Sequence, residues 1–181
     1  NYNILFASRL VWEKNLETLI RIYKMASFAN LPYNFIIAGD GVAREALKEE
    51  MPNAFFTGTL SHTDLSVLYA SSDVFLFPST SETYGNVVVE AMSSGLPCVI
   101  ANGGGSADLV HNGHNGYVCS PENEHDFLVK ICRVLSDHKL QAHFRQNGLF
   151  FVKNLNWNHL VEKLFKEWES MVYNNQCLLA S

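Results

Sequence analysis

Two glutamates, Glu82 and Glu90, stand eight positions apart in Ser-Glu-Thr-Tyr-Gly-Asn-Val-Val-Val-Glu-Ala-Met, residues 81–92. Pro78 and Ser79 precede this stretch at the end of the apolar run Val74–Phe77. Gly85 lies between the acids, and a helical pattern begins at Asn86. A strand end, a glycine turn and a new helix N-terminus make a place for an anion. The first helical amides, here those of Asn86, Val87 and Val88, have no intrahelical acceptor, and the helix dipole adds to the attraction. Gly85 has no Cβ, so a ligand can approach the backbone closely. Glu90 falls one turn, ~5 Å, beyond Asn86 on the same face, where a carboxylate can accept both hydroxyls of a ribose. Glu82 precedes the turn, on the other side of the phosphates, where a hexose would sit. Phosphates flanked by many hydroxyls describe a sugar nucleotide. Taken alone, the spacing of two glutamates is weak, and Glu90 could be a solvated helix-surface residue. The Pro-Ser, Gly-Asn, Ala-Met and Gly-Leu-Pro pairs around them supply the strand–turn–helix setting that gives a motif its weight.

Arg9 and Lys14 follow the first apolar run, in Ser-Arg-Leu-Val-Trp-Glu-Lys-Asn. At the carboxyl end of a strand, two cations can neutralise a diphosphate and stabilise it as it leaves. As ordinary surface residues they would pair locally with Glu13. No Asp-x-Asp occurs, so the carboxylates that usually bridge a diphosphate through a metal are missing, and no metal is expected. Gly39-Asp40-Gly41 opens like a dinucleotide fingerprint, but the third glycine position holds Arg44. These glycines fit a tight turn under a ligand better than a nicotinamide or flavin site. Gly103-Gly104-Gly105 forms a second glycine loop, suited equally to capping a ligand or to a plain connection. His111 and His114 sit in a Gly/Asn turn without a cysteine pair and read as surface residues. Neither a Gly-x-Ser-x-Gly elbow nor a Walker loop is present.

The elements that would position these residues alternate. Strands are expected at Ile4–Ala7, Asn34–Ala38, Ala54–Thr57, Val74–Phe77, Cys98–Ala101 and Tyr117–Cys119. Between them lie helical patterns: one bearing Leu16, Leu19, Ile20 and Tyr23, then Val42–Glu50, a segment capped by Ser61 and Asp64 and running to about Ala70, Asn86–Ser94 and a short Ser106–His111. Three helices close the chain at about 124–136, 138–152 and 157–172, the last with a stripe that includes Trp157 and Trp168. The alternation predicts an α/β fold, a Rossmann-like doubly wound parallel sheet of about six strands with helices on both faces and a C-terminal helical tail. The domain is expected over 1–173, with a frayed tail at 174–181. The chain has 181 residues, 48 % hydrophobic and 17 % charged, and a net charge of −5. That balance suits a soluble globular domain and gives no reason to expect nucleic acid or an anionic membrane as partner. Cys98, Cys119, Cys132 and Cys177 show no C-x-x-C spacing. Cys98 and Cys132 read as small buried residues, and reduced thiols in a cytoplasmic protein are expected. The chain starts without Met at an apparent strand, as a piece of a longer protein would.

Together these residues resemble the C-terminal, donor-binding domain of retaining glycosyltransferases of the GT-B fold, the large group of α-glycosyltransferases. The resemblance runs from Ser8-Arg9-Leu10 to about Trp157 and is most specific between Pro78 and Pro97. It implies that Arg9 and Lys14 hold the donor diphosphate and that Glu82 meets the sugar hydroxyls. It places Tyr84, Gly85, Asn86 and Val87 at the turn beside sugar and phosphate, Glu90 on the ribose, and Thr59 and Leu60 near the base. Gly39 and Gly41 fall where the family's first glycine turn does. The family usually has Glu where Asp108 stands here, and bulkier residues or proline at Ser106 and Ala107. The implied partner is a UDP-, GDP- or ADP-sugar, with the acceptor bound mainly by an N-terminal domain outside this chain. The implied reaction retains anomeric configuration, needs no cofactor and serves polysaccharide or glycolipid synthesis. An epimerase or phosphorylase on the same plan, or a non-catalytic sugar-nucleotide module, are the alternatives.

Overall fold

The structure, a computed structural model, describes residues 1–155 and residue 165. Six strands form one parallel sheet: β1 (Tyr2–Ala7), β2 (Tyr33–Ala38), β3 (Phe55–Gly58), β4 (Val74–Phe77), β5 (Cys98–Ala101) and β6 (Gly116–Cys119). Their order across the sheet is β3-β2-β1-β4-β5-β6, and each neighbouring pair is parallel. Among residues 1–155 the α-helices are α1 (Leu16–Phe28), α2 (Arg44–Glu50), α3 (His62–Ala70), α4 (Asn86–Ser93), α5 (Glu124–Ser136) and α6 (His138–Lys153). α1 packs against α2 and α5, while α4 packs against α3 and α6, which covers both faces of the sheet.

The central strands show why the apolar runs in the sequence lack alternation. All four residues of β4 and all four of β5 are buried, as expected of parallel strands with helices on both faces. Phe6, Phe75 and Phe77 fill the middle of the core, with Phe75 and Phe77 stacked at 5.6 Å between ring centres. α1 buries the predicted stripe of Leu16, Leu19, Ile20 and Tyr23. α3 starts where the capping pattern places it. Ser61 Oγ accepts the Asp64 amide at 3.1 Å and donates to the Asp64 carboxylate at 2.7 Å.

Three expectations change. The second helix begins at Arg44 rather than Val42: Val42 and Ala43 form a turn closed by the Arg44 amide on the Gly41 carbonyl at 3.1 Å, the first helical bond runs from the Leu47 amide to the Ala43 carbonyl, and the Ala43 amide donates to the Leu10 carbonyl at 2.9 Å. The predicted helix Ser106–His111 shrinks to a single 3-10 turn, Ala107–Leu109. Asn115 is the reason: its side chain accepts the His111 amide at 2.7 Å and donates to the Leu109 carbonyl at 3.1 Å, so this backbone bonds to a side chain rather than to a helix. Cys132 is only half-buried, with its sulfur 3.3 Å from the Tyr33 hydroxyl, whereas Cys98 and Cys119 are buried. The predicted helix at 157–172, its tryptophan stripe and the tail from 174 lie outside the described residues.

The chain lays down β1, β2 and β3 outward in one direction, then returns to place β4 on the other side of β1. At such a reversal the loops after the two central strands diverge and leave a crevice beyond their carboxyl ends. Those loops carry Arg9 and Lys14 on one side and Glu82 on the other.

Candidate functional site

The loops after β1 and β2 touch along their backbones. The Leu10 amide donates to the Asp40 carbonyl at 2.9 Å. Gly39 has φ +126°, and a Cβ there would lie 1.9 Å from the Ser8 carbonyl oxygen. One on Gly41 would lie 2.4 Å from the Leu10 carbonyl oxygen. The two glycines are therefore fixed by close backbone packing. Gly39 also faces the crevice; Gly41 does not line it. The crevice is a mostly apolar cleft of about 230 Å³, walled by Arg9 and Gly39, by Thr59, Leu60 and Leu65, and by Val87 of α4. Five predicted residues thus come together, with Ser8, Asp40 and Leu65 as additions that composition and spacing did not mark.

Beyond Arg9 a 3-10 turn, Trp12–Lys14, carries Lys14 back under the loop, where it is buried. Its ammonium donates to Glu82 Oε1 at 2.7 Å and to Ser81 Oγ at 3.1 Å. A buried ammonium is tolerated only with such partners, since an unpaired one would cost several kcal/mol. Lys14 has three protons to donate, and these two bonds leave one for a ligand. Arg9 behaves differently: its side chain is 73 % exposed and, among the described residues, pairs only with Glu13, at 3.3 Å.

Asn15 sets the distance between the two loops. Its φ of 55° places it in the left-handed region, which Asn tolerates better than most side chains. Its amide donates to the Pro78 carbonyl and to the Pro121 carbonyl, each at 3.0 Å, and accepts from Thr18 Oγ1 at 2.8 Å. One side chain thus joins the loops after β1, β4 and β6. The pair Lys14-Asn15 after a short apolar run was the available signal, but sequence alone does not say which carbonyls an asparagine will find.

The Glu82–Glu90 element has the expected form. Gly85 caps α4 with φ +91°. The Val88 amide donates to the Gly85 carbonyl at 2.9 Å, so the expectation of three free amides is corrected: those of Asn86 and Val87 remain without a partner among the described residues. The helix turns tightly around its left-handed cap, and that supplies the extra acceptor. The loop Gly103–Gly105 is packed against residues 80–84 rather than standing free. The Gly105 amide donates to the Glu82 carbonyl at 2.7 Å, and a Cβ on Gly105 would sit 2.1 Å from the Thr83 carbonyl oxygen. Ser106 lies behind Gly85, fully buried, with its hydroxyl unpartnered among the described residues. Tyr84 is half-buried against the core. Asp108 lies on the 3-10 turn and is exposed.

Glu90 lies one turn along α4 in a neighbouring groove that shares Leu65 with the cleft. The Tyr69 hydroxyl donates to Glu90 Oε2 at 3.2 Å. Among the described residues no cluster of three His, Cys, Asp or Glu side chains could hold a metal ion. His114 stands exposed beside His143 and Asn147 on α6.

Comparison with known proteins agrees with this geometry. The sequence profile described as "Glycosyl transferases group 1" matches residues 1–168. The chain belongs to the group 1 glycosyl transferases. Within that family, the sulfoquinovosyl transferase SQD2 of Arabidopsis thaliana is 35 % identical over 170 residues, which span 91 % of this chain and 32 % of that protein. A GDP-mannose-dependent alpha-mannosyltransferase of Mycobacterium tuberculosis is 38 % identical over 167 residues, 92 % of this chain and 42 % of that protein. The chain therefore spans about a third to two-fifths of the length of these relatives. Among solved structures, Anabaena HepE in complex with UDP and glucose superposes with a TM-score of 0.76 at 25 % identity, over 94 % of this chain and 48 % of that one. This glycosyltransferase chain has the strand order and switch-point cleft expected of one half of a GT-B enzyme. Among its described residues no helix is long and apolar enough to cross a membrane.

Proposed function

We propose that this chain is the donor-binding half of a retaining glycosyltransferase that moves a hexose from a nucleoside-diphosphate sugar to an acceptor hydroxyl. One observation carries the reading: Lys14 and Glu82, from loops after different strands, meet at 2.7 Å beside the N-terminus of α4, next to a mostly apolar cleft. The base lies in the cleft against Thr59, Leu60 and Val87. The diphosphate lies over the free amides of Asn86 and Val87, between Arg9 and the remaining proton of Lys14. The hexose lies at Glu82, whose second oxygen accepts its hydroxyls. Negative charge developing on the leaving diphosphate is neutralised by Arg9, Lys14 and the α4 dipole rather than by a metal. In a retaining reaction the diphosphate itself assists deprotonation of the acceptor on the same face, so no protein nucleophile is required.

Relatives suggest the range of donors. One similar protein uses GDP-mannose, and one similar structure holds UDP and glucose. The acceptor is bound by a preceding N-terminal domain in the whole protein, and this chain alone binds donor without transferring sugar. A role in polysaccharide or glycolipid synthesis follows from the resemblance, and free thiols at Cys98, Cys119 and Cys132 suit a reducing, cytoplasmic setting.

Calorimetric titration with UDP, GDP and ADP, first without metal and then with Mg²⁺, tests the reading. We expect one nucleotide to bind without metal, and Glu82→Ala to weaken its sugar-linked form more than the bare diphosphate. Binding that appears only with Mg²⁺ would overturn the metal-free assignment. Equal losses for both ligands would remove Glu82 from the sugar.

A further inference from the structure

Glu90 is unusual among the site's charged groups. It is partly buried on α4, yet it forms no ion pair among the described residues, and its only side-chain hydrogen bond comes from Tyr69. Arg9 and Lys14 are each paired with a carboxylate. Glu90 Oε2 is held at 3.2 Å, and Oε1 receives no hydrogen bond from the described residues. A carboxylate offers about four acceptor positions, so most of its capacity is open.

Tyr69 is well placed to hold that carboxylate still. It is 2 % exposed, near the end of α3, and its ring packs edge-on to Phe75 of β4 at 5.7 Å and 66°. Phe75 in turn stacks on Phe77, the last residue before the Pro78 loop. The phenol is thus fixed to the same strand that delivers Glu82. Burial, reinforced by the Glu90 charge, pushes its pKa well above the usual tyrosine range, so it donates rather than accepts at any ordinary pH. Leu65, one helical turn before Tyr69, lines both the cleft and the groove holding Glu90, so the two spaces adjoin at that side chain.

We infer that Tyr69 is the positioning residue for Glu90, fixing one carboxylate oxygen so that the other faces the vicinal hydroxyls of the donor ribose. The inference rests on the donor-site reading above. A buried tyrosine hydroxyl also needs some partner simply to be satisfied, and that purely structural role predicts no dependence on the ribose.

The test uses this chain and its Tyr69→Phe variant. The tightest binder among UDP, GDP and ADP is compared with its 2′,3′-dideoxy counterpart by calorimetry. We expect the unchanged chain to prefer the ribose form. Tyr69→Phe should lose about ten-fold in affinity for it, the scale of one hydrogen bond to a charged group, with the dideoxy form unaffected. The double variant Tyr69→Phe/Glu90→Ala should bind no more weakly than Glu90→Ala, since the hydroxyl acts through the carboxylate. Equal losses for ribose and dideoxy ligands, or no loss at all, would overturn the positioning role while leaving the donor site intact. Equal affinity of the unchanged chain for both forms would overturn the ribose contact and the proposal together. Failure of all three nucleotides to bind the unchanged chain would overturn the donor-site reading itself.

Discussion

At one end of the site Lys14 is buried and already bonded to Ser81 and Glu82, with Asn15 beside it tying three loops together. At the other end Thr59, Leu60, Leu65 and Val87 wall an open cleft, and one oxygen of Glu90 has no partner among the described residues. The first end is assembled by bonds internal to the chain. Those bonds partly neutralise the Lys14 charge. The second end offers apolar area and a few polar groups, the usual composition of a small-molecule pocket. Preorganised charge belongs where charge develops during a reaction; adaptable apolar surface suffices where a base only needs to be held. The contrast extends to the two cations. Lys14 is part of the fold, whereas Arg9 lies on the exposed side of the same loop and is paired with exposed Glu13.

Lys14→Ala should separate the ends most sharply. It leaves the partly buried Glu82 without its cation, and urea unfolding should show a loss of about 3 kcal/mol. A loss below about 1 kcal/mol would mean that Glu82 is solvated well enough alone, and the contrast would fail. Asn15→Ala should cost about 2 kcal/mol, from lost hydrogen bonds and from forcing alanine into the left-handed region. Asn15→Gly, which accepts that backbone but has no amide, should recover about half; equal losses would show that the bonds alone hold the loops. Glu90→Ala should weaken nucleotide binding by about 1.5 kcal/mol and, because it leaves the buried Tyr69 hydroxyl unpaired, lower folding stability by about 1 kcal/mol. A stability loss rivalling that of Lys14→Ala would make Glu90 structural too. Arg9→Ala should change stability by no more than about 0.5 kcal/mol, and its effect on diphosphate binding should shrink as salt is raised. A salt-independent effect would place Arg9 in a more enclosed contact than its exposure shows.

Much of the fold was readable because its signals are local. The strands Val74–Phe77 and Cys98–Ala101 appear with the bounds their apolar runs gave, and the Ser61–Asp64 cap starts α3. The start of α4 at Asn86, after a glycine, follows from the same local chemistry. The misreadings came where distant segments compete for backbone groups. A turn tied to Leu10 occupies residues 42 and 43 ahead of the second helix, and Asn115 draws residues 109–111 away from helical bonding.

The sequence by itself determined which residues could do chemistry: a glycine-capped helix with a carboxylate on either side, and two cations after the first strand. Their types and short spacings are local properties, and local rules read them. Tertiary structure alone decided which of them meet. Lys14 and Glu82 are 68 residues apart, and they touch because the reversal in strand order sets β4 beside β1. Tertiary packing likewise leaves Arg9 exposed, brings Tyr69 against Glu90, and packs the 103–105 glycines onto the 80–84 loop. Such contacts depend on how strands are ordered and loops close across the sheet edge, and no periodicity within one segment encodes that.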